Sequence, residues 1–276
     1  MQFLLKQKTI LPGFGLSLGV SVFCLSMLVL LPFAMLFWVT SGMGWDAFIS
    51  TITEERVMAA IFLTLRLSLY ATLTNLFFGT LVAWVLVRYQ FPGKSLMNAL
   101  VDLPFALPTA VTGIALATLY SPNGWLGQFF EQRIAFTPTG IYLALVVVSM
   151  PFIVRAVQPV LEELQPELEE ASATLGANRW TTFRRVILPE LTPALLMGTG
   201  MMFARATGEY GSVIFIAGNI PLVSEILPVI ITAKLEMFDV QGASAVALFM
   251  LLIAFTILFI IKAAQWRISR RLEGRA

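Results

Sequence analysis

Five windows of this chain contain no Asp, Glu, Lys or Arg: Thr9–Trp45, Leu67–Val87, Leu103–Phe130, Ile134–Val154 and Val240–Ile261. Each is at least as long as the roughly 20 residues a helix needs to cross a bilayer. A sixth stretch, Leu191–Ile216, is apolar apart from Arg205 and Glu209. In hydrocarbon no water satisfies backbone N–H and C=O groups, so such segments close their hydrogen bonds internally as helices. The chain is 58% hydrophobic and 12% charged, whereas a soluble domain is about a quarter charged. The expected fold is therefore all-α: a polytopic transmembrane helical bundle of six spans. Pro104, Pro108 and Gly113 predict a kink or partial unwinding in the third span.

Six spans place both termini on one side, and the basic residues choose it. Thirteen fall on one set of loops: Lys6, Lys8, Arg88, Lys94, Arg155, Arg179, Arg184, Arg185 and five from Lys262 to Arg275. Only Arg56, Arg133 and Lys234 fall on the other. The positive-inside rule then makes both termini cytoplasmic, together with the long loop 156–192. The apolar run after Lys8 far exceeds the 7–15 residues or so of a signal-peptide core, so it is expected to persist as the first helix. Glu54, Glu55, Glu131, Glu225 and Glu236 fall in outer loops and are expected to be solvated. The chain has no histidine, which removes imidazole acid–base chemistry and metal ligation. Its lone Cys24 can form no disulfide within the chain.

The loop at 161–190 has its own pattern. Pro166 suits a first helical turn, and Glu167, Glu169 and Glu170 crowd the early turns, where the helix dipole favours anions. Leu168, Ala171 and Leu175 recur as one narrow apolar stripe. Gly176 stands where a left-handed cap stops the helix. A second short helix is expected from Asn178, with Trp180, Phe183 and Ile187 on one side, and Pro189 is expected to end the loop. The result is a compact knob suited to docking. Its acidic first arm argues against a linker resting on anionic headgroups.

Glu170, Ala171, Gly176, Leu188 and Pro189 fall on the spacing of the coupling loop of ABC-importer permeases, with Ser172 and Val186 as small departures. Asp102-Leu-Pro-Phe-Ala-Leu-Pro-Thr-Ala-Val-Thr-Gly113 and Gly208-Glu-Tyr-Gly-Ser-Val-Ile-Phe-Ile-Ala-Gly-Asn219 resemble the sulfate/molybdate group of that family. Pro12–Gly19 and Ser121-Pro-Asn-Gly124 resemble its T-type sulfate/thiosulfate permease subunits. The resemblance implies a type I ABC-importer permease architecture and import of sulfate or thiosulfate across a bacterial inner membrane. It also implies a heterodimer with a W-type paralogue, two ATPase subunits carrying ATP and Mg, and a periplasmic anion-binding protein. The five matching residues would couple to the ATPase. Residues 1–60 would form an N-terminal helix and outer loop, 61–265 the permease core, and 266–276 a basic tail. No nucleic-acid partner or cofactor of the chain's own is expected. Gly93-Lys94-Ser95 ends like a phosphate-binding loop, but Arg88 occupies the position of the required first glycine.

Arg205 and Glu209 are four residues apart and can share a helix face and neutralise each other. One reading makes them a structural ion pair, within the chain or toward the partner permease. The other places Arg205, Glu209 and Gly208 on the anion pathway near an outer gate, since ionisable groups inside spans mark pathways. Gly208 and Gly211 are expected to allow close helix approach. A molybdate or tungstate permease is the nearest alternative in function. A self-sufficient secondary transporter lacks the internal repeat expected of it, and an intramembrane enzyme lacks a catalytic constellation.

Overall fold

The computed structural model describes residues 14–273. Lys6, Lys8, Arg275, the first residues of the predicted first span and the end of the basic tail lie outside the described residues. The chain runs α1 (Phe14–Leu25), a π turn (Ser26–Leu30), α2 (Leu31–Ser41), α3 (Trp45–Ile52), α4 (Glu55–Arg88), α5 (Lys94–Ala106) and α6 (Thr109–Tyr120). It continues through α7 (Pro138–Glu163), α8 (Pro166–Thr174), α9 (Arg179–Thr182), a second π turn (Phe183–Ile187) and α10 (Leu188–Thr207). α11 (Val213–Ile216), α12 (Leu227–Glu236) and α13 (Val240–Glu273) complete it. No strand occurs among the described residues. Among the described residues, five helical stretches are long and apolar enough to cross a membrane: Phe14–Ser41, Glu55–Arg88, Pro138–Glu163, Arg179–Thr207 and Val240–Arg267. A sixth arises if α5 and α6 count as one broken span, bent by 112°.

That bend sharpens the expectation at Pro104 and Pro108. Pro104 is accommodated inside α5, and Leu107 turns extended before Pro108, the N-cap of α6. A residue before proline is driven out of the helical region, so the break falls there. The predicted third span was displaced: it starts at Lys94, and after Tyr120 the chain forms turns and a short 3₁₀ segment. Charge-free windows locate the lipid core and miss helix that continues into water or is neutralised by a partner. Thus α4 begins twelve residues before Leu67, and α7 continues through Arg155 to Glu163.

Pro189 does not terminate the loop. Helix continues from Arg179 to Thr207, and a π turn immediately precedes Leu188-Pro189, with Leu188 N–H reaching Phe183 O. The same arrangement precedes Leu31-Pro32, where Leu31 N–H reaches Ser26 O. Proline lacks an N–H and clashes with the carbonyl four residues back; a wider turn just upstream accommodates it without breaking the helix.

α7 occupies the centre, packed by α4, α5, α6 and α10. Its Ile153 is fully buried between two glycines. A Cβ on Gly79 of α4 would collide with Ile153 Cγ2, and one on Gly198 of α10 would lie 2.6 Å from Ile153 Cδ1. Asn75 Nδ2 donates to Val146 O at 2.8 Å and to Ser149 Oγ at 3.0 Å, a polar clasp between α4 and α7. Gly79→Ala and Gly198→Ala should each lower the thermal unfolding midpoint, overpacking costing about 1–3 kcal/mol. Ile153→Val, which removes Cδ1 and keeps Cγ2, should partly restore the Gly198 variant and leave the Gly79 variant unrepaired. Equal rescue of both would contradict this packing.

Candidate coupling and pathway sites

α8 starts at Pro166 and stops at Gly176, whose φ of +81° is the left-handed conformation expected for it. Gly176 N–H reaches Ala173 O at 2.9 Å and Ala177 N–H reaches Ser172 O at 3.1 Å, the paired bonds of a Schellman cap. Asn178 caps the second arm, its Oδ1 accepting from Thr181 N–H at 2.8 Å. The hydroxyls of Ser172 and Thr182 meet at 2.9 Å and tie the arms together. Ser172, read from the sequence as a neutral departure, thus makes a contact that alanine could not.

The knob is also fastened to the bundle. Arg88, on the last turn of α4, pairs with Glu169 and lies over the Trp84 ring at 5.5 Å. Trp84 meets Phe183 edge-on at 6.0 Å, and Phe183 stacks on Trp180 at 5.7 Å. The sequence places Trp180 and Phe183 on one side of the second arm, as found, but gives no sign that Arg88 and Trp84 meet them or Glu169. The Arg88/Glu169 pair spans 81 residues, and no local spacing signals it. The stripe Leu168, Ala171 and Leu175 faces outward, with Leu175 86% exposed, and Trp180 is also exposed. Glu170 is exposed beside them. Leu188 and Pro189 lie apart from this face, half-buried in the first turn of α10. The structure therefore gathers Glu170, Ala171 and Gly176 on the knob and leaves the other two motif residues at its base.

At the other end of α10, the helix stops at Thr207 and Gly208 caps it. Leu191–Ile216 is thus not one helix; the chain turns through Gly208–Ser212 into α11. Arg205 and Glu209 nevertheless form an ion pair. Glu209 is 1% exposed, and its other oxygen accepts from Ser212 N–H at 2.8 Å and Ser212 Oγ at 2.9 Å. Arg205, in the last turn, also meets the negative end of the helix dipole, and its side chain is 30% exposed. Gly208 is exposed and makes no close approach; a Cβ there would meet only Ala204 O at 3.6 Å. The tight contacts belong to Gly211, against Thr109, and to Gly113, against the Ser212 backbone. They press the Glu209 turn onto the N-terminal part of α6.

A second correction falls at this end. Glu225 is buried rather than solvated: Arg56 Nε and Nη2 hold its two oxygens at 2.7 and 2.6 Å. Lys234 lies 3.4 Å from both Glu54 and Asp239. Glu131 is exposed as expected.

These features define a class: a multi-pass helical membrane component with a structured, outward-facing loop between two central helices. The chain belongs to the binding-protein-dependent transport system inner membrane component family, which it matches over residues 75–274. It is 47% identical over 272 residues to the sulfate transport system permease protein CysT of Salmonella typhimurium, covering 98% of each chain. It is 46% identical to CysT of Escherichia coli, covering 99% of each. Among solved structures, a bacterial alginate ABC transporter in complex with an alginate-bound periplasmic protein superposes with a TM-score of 0.76 at 18% identity, over 91% of this chain and 93% of that one. The MetNI methionine ABC transporter superposes at 0.55 and 19%, over 77% and 94%. At these identities the likeness carries the fold, which is that of ABC-importer permeases.

Proposed function

We propose that this chain is the membrane-spanning permease subunit of an ATP-driven importer that carries sulfate and thiosulfate across the bacterial inner membrane. Near-full-length similarity to two sulfate transport permeases carries the reading. Both termini and the 161–190 loop lie in the cytoplasm, following the basic-residue asymmetry. A W-type permease completes the pathway, a periplasmic binding protein delivers the anion, and two separate ATPase subunits bind ATP and Mg. Closure of the ATPase pair pushes on the exposed knob of Glu170, Ala171 and Gly176, and the Arg88/Glu169 pair and Trp84/Phe183 contact pass that push to α4. α10, continuous with the second arm through Leu188 and Pro189, carries it to Arg205. There a guanidinium with donors beyond those given to Glu209 offers a passing oxyanion a positive field without a tight cage.

Radiolabelled sulfate uptake should be lost in a strain lacking this chain and restored by it, with thiosulfate competing better than molybdate. The reverse order would assign a molybdate or tungstate permease. Vesicles holding the permeases without the ATPase should not accumulate sulfate; accumulation there would point to a secondary transporter. Arg205→Gln should cut uptake several-fold in complexes that still assemble, and wild-type uptake would remove the pathway role.

A further inference from the structure

A groove of about 670 Å³ opens between α4 and α10, with no α7 residue in its lining. Phe77, Leu81 and Trp84 form one wall, and Phe183, Leu188 and Leu195 the other. Its lining is apolar apart from three threonine hydroxyls and the indole N–H of Trp84. Of these, Thr80, Thr192 and Thr199 each donate to the carbonyl four residues back on their own helix. The threonine hydroxyls are therefore already satisfied, and the indole N–H of Trp84 is the one donor left at the groove's Trp84/Phe183 end. The walls stay open, with Phe77 and Leu81 more than half exposed.

The groove's length fits an acyl chain. On α4 it runs from Leu73 to Trp84 and on α10 from Leu188 to Thr199. At 1.5 Å per residue, either stretch covers roughly 16 Å. That is about half of the ~30 Å hydrocarbon core, the depth of one leaflet. A docked transmembrane helix would need a trough through both leaflets, whereas an acyl chain needs this one. The Trp84/Phe183 end of the groove supplies the rest of the recognition. It finishes at Trp84 and Phe183, with Trp180 stacked behind Phe183; aromatic rings of this kind favour the headgroup level. Arg184 and Arg185, directly after Phe183, are exposed, and no ion pair engages them among the described residues. Glu169, the acidic side chain fastened to this end of α4, is already taken up by Arg88.

We propose that this groove is a binding site for an anionic phospholipid, its acyl chain lying between α4 and α10 and its phosphate over Arg184 and Arg185. With the orientation proposed above, the lipid comes from the cytoplasmic leaflet. Its tail touches Trp84 and Phe183, which fasten the knob to the bundle, so its occupancy adjusts how stiffly the two move together.

The test uses the assembled transporter in phosphatidylcholine nanodiscs, doped with phosphatidylglycerol whose acyl chains are brominated. Quenching of Trp84 is isolated as the difference between wild type and Trp84→Phe. Quenching by brominated phosphatidylglycerol should saturate at a low mole fraction, while brominated phosphatidylcholine should require bulk amounts. Replacing Arg184 and Arg185 by Gln should raise the half-saturating fraction about five-fold for each charge removed. Native mass spectrometry of the wild-type assembly gives the same headgroup comparison without any substitution. Equal quenching by the two lipids would overturn the proposal by showing ordinary lipid solvation. Absence of quenching by either would overturn it by showing the groove filled by the second permease.

Discussion

Glu209→Ala should destabilise the chain more than any other single change at the far end of α10. The carboxylate is buried and answers three donors at once: the Arg205 guanidinium, Ser212 N–H and Ser212 Oγ. Its removal leaves the buried Ser212 donors without an acceptor, about 1–3 kcal/mol for each group left unsatisfied, and leaves the part-exposed Arg205 charge unpaired. The predicted result is a lower yield of folded chain and a lower unfolding midpoint in detergent. Reversing the pair, as Arg205→Glu with Glu209→Arg, should not restore stability. An arginine at 209 offers Ser212 N–H no acceptor, so the site is directional even though the ion pair taken alone is symmetric. Recovery by the reversed pair would show that the charges matter and the turn does not. Arg205→Lys, which keeps the charge and presents a single ammonium, should fold with a smaller loss.

The second large effect is expected at Gly176, and there it should fall on transport rather than folding. A Cβ at this position meets nothing within 4 Å, so sterics with the rest of the chain do not forbid a side chain. The obstacle is the φ of +81°. A non-glycine residue pays about 1–2 kcal/mol in the left-handed region, and a β-branched one is a greater outlier there. Gly176→Val should open the Schellman cap and separate the arms that Ser172 and Thr182 join. One to two kcal/mol corresponds to a factor of roughly 5–30 in the population of the docked geometry. Sulfate uptake should drop on that order, with membrane insertion and assembly with the second permease unchanged. Gly176→Asn, which tolerates the left-handed region better, should lose less. If Gly176→Val abolishes insertion instead, the residue serves folding alone.

The two sites were legible to different degrees. In the knob, Pro166, Gly176 and Asn178 each act on their own backbone neighbours, so start, stop and restart could be read in order. The fastening of that knob could not. Arg88 and Glu169 meet across 81 residues, and Arg56 and Glu225 across 169, and nothing near either member names its partner. Glu225 was read as solvated because an acidic residue in a loop ordinarily is. At Arg205 and Glu209 the spacing of four suggested a shared helix face, and the ion pair does form, but across a helix end. Gly208, chosen for close packing, proved to be a cap, while Gly211 and Gly113 make the close approaches.

The sequence by itself determined that this chain lives in a bilayer as a bundle of helices, because hydrocarbon excludes charge and forces backbone hydrogen bonds to close within each segment. It also determined where the protruding loop turns, because caps and prolines act over a few residues. The tertiary structure decided which helices carry the loop, that α5 and α6 are a broken span, and that a proline after a π turn continues a helix. It also decided that Ile153 is clasped between two glycines and that an apolar groove runs between α4 and α10. Those outcomes depend on which distant side chains arrive at the same place, and periodicity along one chain holds no record of that.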